Sequence, residues 1–219
     1  MDKLIRNYTG EKIDVSYQAG RCIHAEECIR RLHEVFDTRR RPWVLPDAAS
    51  PDSVAAAVVA CPSGSLHYTR KDDGDAEPVH AQNTIRLTEN GPLYLHGDFT
   101  IVNGIGELVM NDTRAALCRC GGSANKPLCD NAHKTNGFTA PGTVAEPQPI
   151  VETETLGSRK LCIEATTNGP LHITGHFTVL NHKGEAVYQG MDETFCRCGG
   201  SANKPFCDGT HENIGFVAG

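Results

Sequence analysis

The stretch "CRCGGSANKPFCDGTH", residues 196–211, carries three thiols and one imidazole within sixteen residues, and "CRCGGSANKPLCDNAH", residues 118–133, repeats it. Sliding the chain against itself by 78 positions (196 − 118) aligns far more than the cysteines. "TENGPLYLHGDFTIVNGIGELV" from Thr88 falls on "TTNGPLHITGHFTVLNHKGEAV" from Thr166, and Gly137-Phe138 falls on Gly215-Phe216 without a gap. A tandem duplication is the economical explanation. Two copies are too few for a solenoid, so the expected arrangement is a pair packed about a pseudo-two-fold axis, as in a homodimer.

Working outward, each copy reads as short strands ahead of its cysteines. "NTIRL", "LYLHGDFTIV" and "ELVM" in the first copy match "KLCIE", "LHITGHFTVL" and "EAVY" in the second, with Asn- and Gly-rich turns between them. Asp130 and Asp208 follow a cysteine and precede the histidine by three positions, which predicts an N-capped short helix presenting the imidazole inward. Residues 140–158, "APGTVAEPQPIVETETLGS", read as the linker between copies. Residues 1–78 are of a different kind: Ser50 caps a helix over "PDSVAAAVVA" that delivers Cys61, and Asp72-Asp73-Gly74-Asp75 marks the boundary. The fold class expected is α+β, with domains at 1–78, 79–142 and 143–219.

Composition limits the classes of function. A hydrophobic fraction of 39%, an aromatic fraction of 6%, 22 Gly and 12 Pro describe small, loop-rich units rather than one large core. A net charge of −6 with pI ≈ 5.9 argues against nucleic acid as a partner. There is no apolar run long enough for a membrane span, and "MDKLIRNYTG" lacks the apolar core of a secretory signal. A cytoplasmic location is therefore expected, and ten cysteines there point to metal or redox chemistry rather than disulfides.

The ligand spacing is C-x-C-x8-C-x3-H, twice. Cys3His is a legitimate set for structural zinc, and a zinc-stabilised binding module stays open on these residues alone. Zinc sites are usually built from two separated knuckles, however. A C-x-C pair brings two sulfurs close together, which suits one iron, while Cys and His four apart suit a second iron of a 2Fe–2S cluster.

The pattern C-x-C-x2-S-x3-P-x-C-D-G-(S/T)-H closely resembles the CDGSH iron–sulfur domain of the mitoNEET-like family. Cys196, Cys198, Ser201, Pro205, Cys207, Asp208, Gly209, Thr210 and His211 fill it in the second copy. Cys118, Cys120, Ser123, Pro127, Cys129, Asp130 and His133 fill it in the first, where Asn131-Ala132 replaces Gly-Thr. The resemblance covers roughly residues 80–219. It implies one 2Fe–2S cluster per repeat, held by Cys118, Cys120, Cys129 and His133 and by Cys196, Cys198, Cys207 and His211. Asn tolerates positive φ after Gly, so the first turn is expected to survive, and the loss of a hydroxyl at Ala132 is expected to make the two sites modestly different. A histidine ligand raises a cluster's potential and adds a titratable, labile contact. Arg119, Arg197, Lys126 and Lys204 are read as shields for the cluster charge, as contacts for an acidic partner, or as solvated loop charges.

In residues 1–78, "CIHAEEC" places Cys22 and Cys28 either side of Ala25, where bacterial ferredoxins carry a further cysteine, and Cys61-Pro62 follows the helix. "VFD" at 35–37 and "VVACPSGSL" at 58–66 strengthen a resemblance to divergent single-cluster 4Fe–4S ferredoxins. Cys22, Cys28 and Cys61 imply a 3Fe–4S cluster, or a 4Fe–4S cluster with a fourth ligand from His24, Glu26 or solvent. Cys162 reads as a buried apolar residue, "TRRRP" at 38–42 as a solvated turn, and Trp43 as core packing.

No nucleotide fingerprint, phosphate loop or nucleophile elbow is present, so the chain is not expected to be an enzyme. Electron transfer is the leading expectation, with cluster donation or redox and pH sensing as alternatives. The expected partner is a redox protein or an apo-acceptor protein, and the chain is expected to be a monomer with its repeats paired internally.

Overall fold

The computed structural model describes residues 4–148 and 160–218, so residues 149–158 of the linker lie outside the described residues. The chain divides into two compact units, Met1–Pro78 and Val79–Gly219. Both are mixed α and β, and the second is largely sheet. Among the described residues no helix is long and apolar enough to cross a membrane.

In the first unit, β1 (Ile5–Tyr8), β2 (Ile13–Gln18) and β3 (Leu66–Arg70) form an antiparallel sheet in the order β1-β2-β3. Alternation turns Ile13 and Val15 of β2, and Leu66 and Tyr68 of β3, into the core. The helix α1 (Glu27–Arg31) follows the first two cysteines, and α2 (Pro51–Val59) precedes the third. Ser50 caps α2 as its sequence predicts, its hydroxyl accepting from Ser53 N–H at 3.2 Å. Helical spacing then buries Val54, Ala57 and Val58 against β2 and β3. Arg70 joins the two layers by donating to Asp52 at the start of α2 (2.7 Å) and to Asp72 beyond β3 (2.6 Å).

In the second unit, β4 (Thr84–Leu87), β5 (Leu93–Asn103) and β6 (Leu108–Leu117) of the first repeat are matched by β7 (Leu161–Ala165), β8 (Leu171–Leu180) and β9 (Ala186–Phe195) of the second. Within each repeat the three strands are antiparallel neighbours. Each first strand also bridges to the other repeat. β4 lies parallel to the far half of β8, pairing Thr84 with Thr178, and β7 lies parallel to the far half of β5, pairing Cys162 with Thr100. Moving either pairing by the repeat offset gives the other. Both long strands break register midway, between His96 and Phe99 and between Thr174 and Phe177, so each serves two sets of neighbours. The core draws equally on both repeats: Ile85, Leu95, Phe99 and Ile101 from one, Ile163, Ile173, Phe177 and Val179 from the other.

Strand β7 overturns one expectation. Cys162 is exposed, because Leu161 and Ile163 on either side of it point into the core and strand alternation turns position 162 outward.

Candidate metal centres

The long strands β6 and β9 end at Leu117 and Phe195 and pass directly into Cys118 and Cys196. Each loop then folds back on its strand end. Cys118 N–H donates to Pro127 C=O and Cys129 N–H to Ala116 C=O, both at 2.8 Å. In the second repeat Cys196 N–H reaches Pro205 C=O at 2.8 Å and Cys207 N–H reaches Thr194 C=O at 2.9 Å. Two of the three cysteines in each set therefore sit on a backbone registered to the core sheet.

The remaining motif residues staple the loop. Ser123 and Ser201 are buried and donate to the Leu128 and Phe206 carbonyls, both at 2.7 Å. Asp130 accepts from Ala124 and Ala132 N–H (2.8 and 3.0 Å), and Asp208 accepts from Ala202 and Thr210 N–H at the same distances. The Thr210 hydroxyl, then these N–H bonds, hold the Asp208 carboxyl down at about 2. That hydroxyl is what Ala132 lacks. The turn into the histidine survives in both copies, with Asn131 at φ 74° and Gly209 at φ 85°. Short helical turns follow at Ala132–Lys134 and at α3 (Thr210–Asn213), capped by Asn131 and Gly209 rather than by the aspartates.

The ligand atoms fall into pairs. Cys118 Sγ lies 3.8 Å from Cys120 Sγ, and Cys196 Sγ lies 3.8 Å from Cys198 Sγ. Cys129 Sγ lies 3.5 Å from His133 Nδ1. Two ligands on one tetrahedral metal, with bonds of about 2.3 Å to sulfur and about 2.0 Å to nitrogen, stand about 3.8 Å apart for S and S and about 3.5 Å apart for S and N. The first quartet thus holds two pairs, each at the spacing of two ligands that share a metal. In the second repeat His211 Nδ1 is instead 3.1 Å from the Asn168 carbonyl oxygen. Both histidines are half-buried.

The protons are already unevenly held. The Cys118 S–H draws the Cys120 thiol down to about 6, helped by Gly122 N–H and the Asn136 amide, while the same contact pushes Cys118 up. Thiolate is the form that binds metal. The position matching Asn136 is Ile214, so the second loop has an apolar group at this corner.

The two loops abut. A Cβ on Gly121 would stand 2.3 Å from the Cys198 carbonyl oxygen, and one on Gly199 would stand 2.8 Å from the Cys120 carbonyl oxygen. Arg119 and Arg197, each 1% exposed, brace this junction instead of lying in solvent, which corrects the reading of them as solvated charges. Arg119 donates to the carbonyls of Gly91 (3.1 Å), Pro141 (3.3 Å) and Thr88. Arg197 donates to those of Gly169 (2.9 Å) and Thr166. Lys126 and Lys204 fold back on the carbonyls of Ser123 and Ser201.

In the first unit Cys22, Cys28 and Cys61 line one pocket of about 330 Å³, open to solvent, with Ala25, Glu26 and Trp43 in its wall. His24 is exposed and is not among the wall residues, whereas Glu26 is. Both flank Ala25 at positive φ, 52° and 60°. Burial, then Cys61, pushes the Cys28 thiol up to about 11, as expected of sulfurs gathered without a counter-ion. Tyr17 also lines the pocket, and burial together with Cys22 pushes its hydroxyl up. It was missed in the sequence, although it continues the inward face of Ile13 and Val15. Trp43 packs edge-on against Tyr17 at 4.8 Å, so its packing role and the pocket wall coincide.

Comparison with known proteins agrees with this division. The model of the divergent 4Fe-4S mono-cluster family matches residues 8–71, and that of the CDGSH-type iron-binding zinc finger matches 90–134 and 168–212. The uncharacterized protein YjdI of Escherichia coli (strain K12) is 39% identical over 71 residues of the N-terminal region, 32% of this chain and 93% of that protein. YjdI of Escherichia coli O157:H7 matches to the same extent. No solved structure matches the chain.

Proposed function

Since the chain belongs to the iron–sulfur proteins built from a divergent 4Fe-4S mono-cluster domain and two CDGSH iron-binding domains, we propose that it is an electron-transfer protein carrying three clusters. Cys118, Cys120, Cys129 and His133 would hold one 2Fe–2S cluster, Cys196, Cys198, Cys207 and His211 a second, and Cys22, Cys28 and Cys61 a 3Fe–4S or 4Fe–4S cluster. The observation that carries this reading is that the first quartet is drawn together as two pairs, at 3.8 and 3.5 Å, while among the described residues no three of these side chains gather as one metal ion requires. When bound, such clusters supply one-electron oxidation and reduction near neutral pH.

The chain's own residues do the rest. Strand ends β6 and β9 fix the cysteines, the Ser and Asp staples hold the loops, and the half-exposed histidines leave each site an edge where a redox partner protein can approach. The reciprocal pairing of β4 with β8 and of β7 with β5 supports an internal pseudo-dimer and hence a monomeric chain. The same exposed histidine edge favours a second reading, donation of a cluster to an apo-acceptor protein, with the imidazole as the releasable ligand.

Iron and acid-labile sulfide analysis with EPR tests the first reading. The expected content is about seven irons per chain, or about eight with a 4Fe–4S centre. Stoichiometric zinc without iron in anaerobically purified protein would reject it. Transfer to an apo-ferredoxin faster than electron exchange with a reduced one would favour the second.

A further inference from the structure

The sequence holds four Asn-Gly pairs, Asn90-Gly91, Asn103-Gly104, Asn136-Gly137 and Asn168-Gly169. In such a pair the glycine has no side chain to keep its backbone nitrogen away from the asparagine carboxamide. The fold protects three of them. Gly91 and Gly169 are buried, and the Gly169 N–H is held by the Thr166 carbonyl at 3.1 Å. Asn90 and Asn168 accept at Oδ1 from Ala140 and Ala218 N–H, at 2.9 and 2.8 Å. Asn103 is bound three times within its own hairpin, accepting from Ile105 and Glu107 N–H and donating to the Glu107 carboxylate (3.1, 2.9 and 3.0 Å).

Asn136-Gly137 is the pair left open. Both residues are exposed, and a Cβ on Gly137, at φ 72°, would meet nothing within 4 Å. Among the described residues the Gly137 N–H donates to no carbonyl. Phe138 N–H donates to Asn136 Oδ1 at 3.1 Å, which polarises the carboxamide and stabilises negative charge developing on that oxygen. The same side chain borders the first metal site. Its Nδ2 lies 3.5 Å from the Cys120 carbonyl oxygen and 2.5 Å from where a Cβ on Gly122 would stand. The repeat puts Ile214-Gly215 at the corresponding positions of the second copy, with no carboxamide.

We propose that Asn136 is a site of spontaneous deamidation, and that its conversion to a carboxylate is a one-way change confined to the first metal centre. Gly137 N attacks Asn136 Cγ: the N–Cγ bond forms, the Cγ–Nδ2 bond breaks, and Nδ2 leaves as ammonia, taking the Gly137 amide proton. Water then opens the cyclic imide at either of its carbonyls, giving aspartate or isoaspartate at position 136. The sequence consumes one water, releases one ammonia and changes no oxidation state. A donor that faced the Cys120 carbonyl becomes an anion facing the same oxygen, close to thiolates of its own sign. The first loop is loosened and the second is untouched. This consequence for the cluster rests on the 2Fe–2S reading above; the modification does not.

The test is peptide mapping by mass spectrometry of the full chain held at mildly alkaline pH, beside the same chain unfolded in urea. Position 136 is expected to gain one mass unit in the folded chain at a rate comparable to that in urea, whereas Asn90, Asn103 and Asn168 convert only in urea. Asn136→Gln is expected to abolish the conversion in the folded chain. Asn136 left intact while the unfolded chain converts, or the other three pairs converting first, would overturn the proposal. In cluster-loaded protein Asn136→Asp fixes the altered state and is expected to lose the first cluster about fivefold faster than the wild type, the effect of one hydrogen bond, with loss of the second unchanged. Visible absorbance of His133→Cys and His211→Cys chains assigns each phase to its repeat, and the aged wild type, separated by its added negative charge, provides the same measurement without substitution. Equal loss from both repeats would overturn the assignment to the first centre. A wild-type chain without iron would overturn the cluster reading, and the mass change decides the modification separately.

Discussion

Single residues decide how the two loops meet. Gly121 has φ 75° and a carbonyl where its Cβ would stand. Gly121→Ala is therefore expected to cost at least about 1–3 kcal/mol from backbone strain alone, with the clash against Cys198 adding to it. Because that clash falls on the second repeat, the substitution should perturb the second cluster's absorbance as well as the first; a change confined to the first would contradict the contact. His96 gives a pH prediction. Burial, then His80, Arg114 and Arg86, depress its imidazole from 6.5 to about 4. The unfolded chain takes up this proton below about 6.5 and the folded chain does so only near 4, so stability is full above that window and is lost as the pH falls through it. Urea midpoints measured at about pH 7.5 and about pH 5 should show a smaller acid loss in His96→Gln than in the wild type. The turn into each histidine was legible in the sequence because local spacing fixes it, whereas Asp130 and Asp208, read there as helix caps, staple the loop instead. Arg119 and Arg197 were not legible, because their burial depends on the opposing loop, and a charged residue between two cysteines carries no sign of which loop will cover it.

At the scale of elements, the strands were readable and their partners were not. Alternation identifies β5 and β8, and the same alternation, applied strictly, turns Cys162 outward. The pairing of β4 with β8 and of β7 with β5 has no local signature, since a parallel pairing formed across the repeats is a tertiary choice. It nevertheless has a measurable effect. Ile85 on β4 is fully buried and paired with Leu95 of its own repeat and Val179 of the other. Ile85→Ala is expected to destabilise the second unit by about 2–5 kcal/mol, and to do so in one transition that removes both repeats together. Two separated transitions, with only the first repeat shifted, would show that the bridging strands do not couple them.

At the scale of the molecule, two units with separate cores carry different ligand sets. Cys61→Ser is expected to remove about three or four irons per chain while leaving the histidine-linked signals of the other unit at full intensity; their parallel loss would argue against separate centres. The reciprocal pairing across the repeats has one more consequence. When two identical polypeptides pair about an axis, every substitution appears on both sides of it, so their sites stay twins. Here a peptide bond joins the halves, and each can be altered alone. Asn136 faces Cys120 where the other half has Ile214, and Ala132 stands where the other has Thr210. Covalent joining has given this scaffold a left and a right, so its two cysteine loops are free to diverge in chemistry.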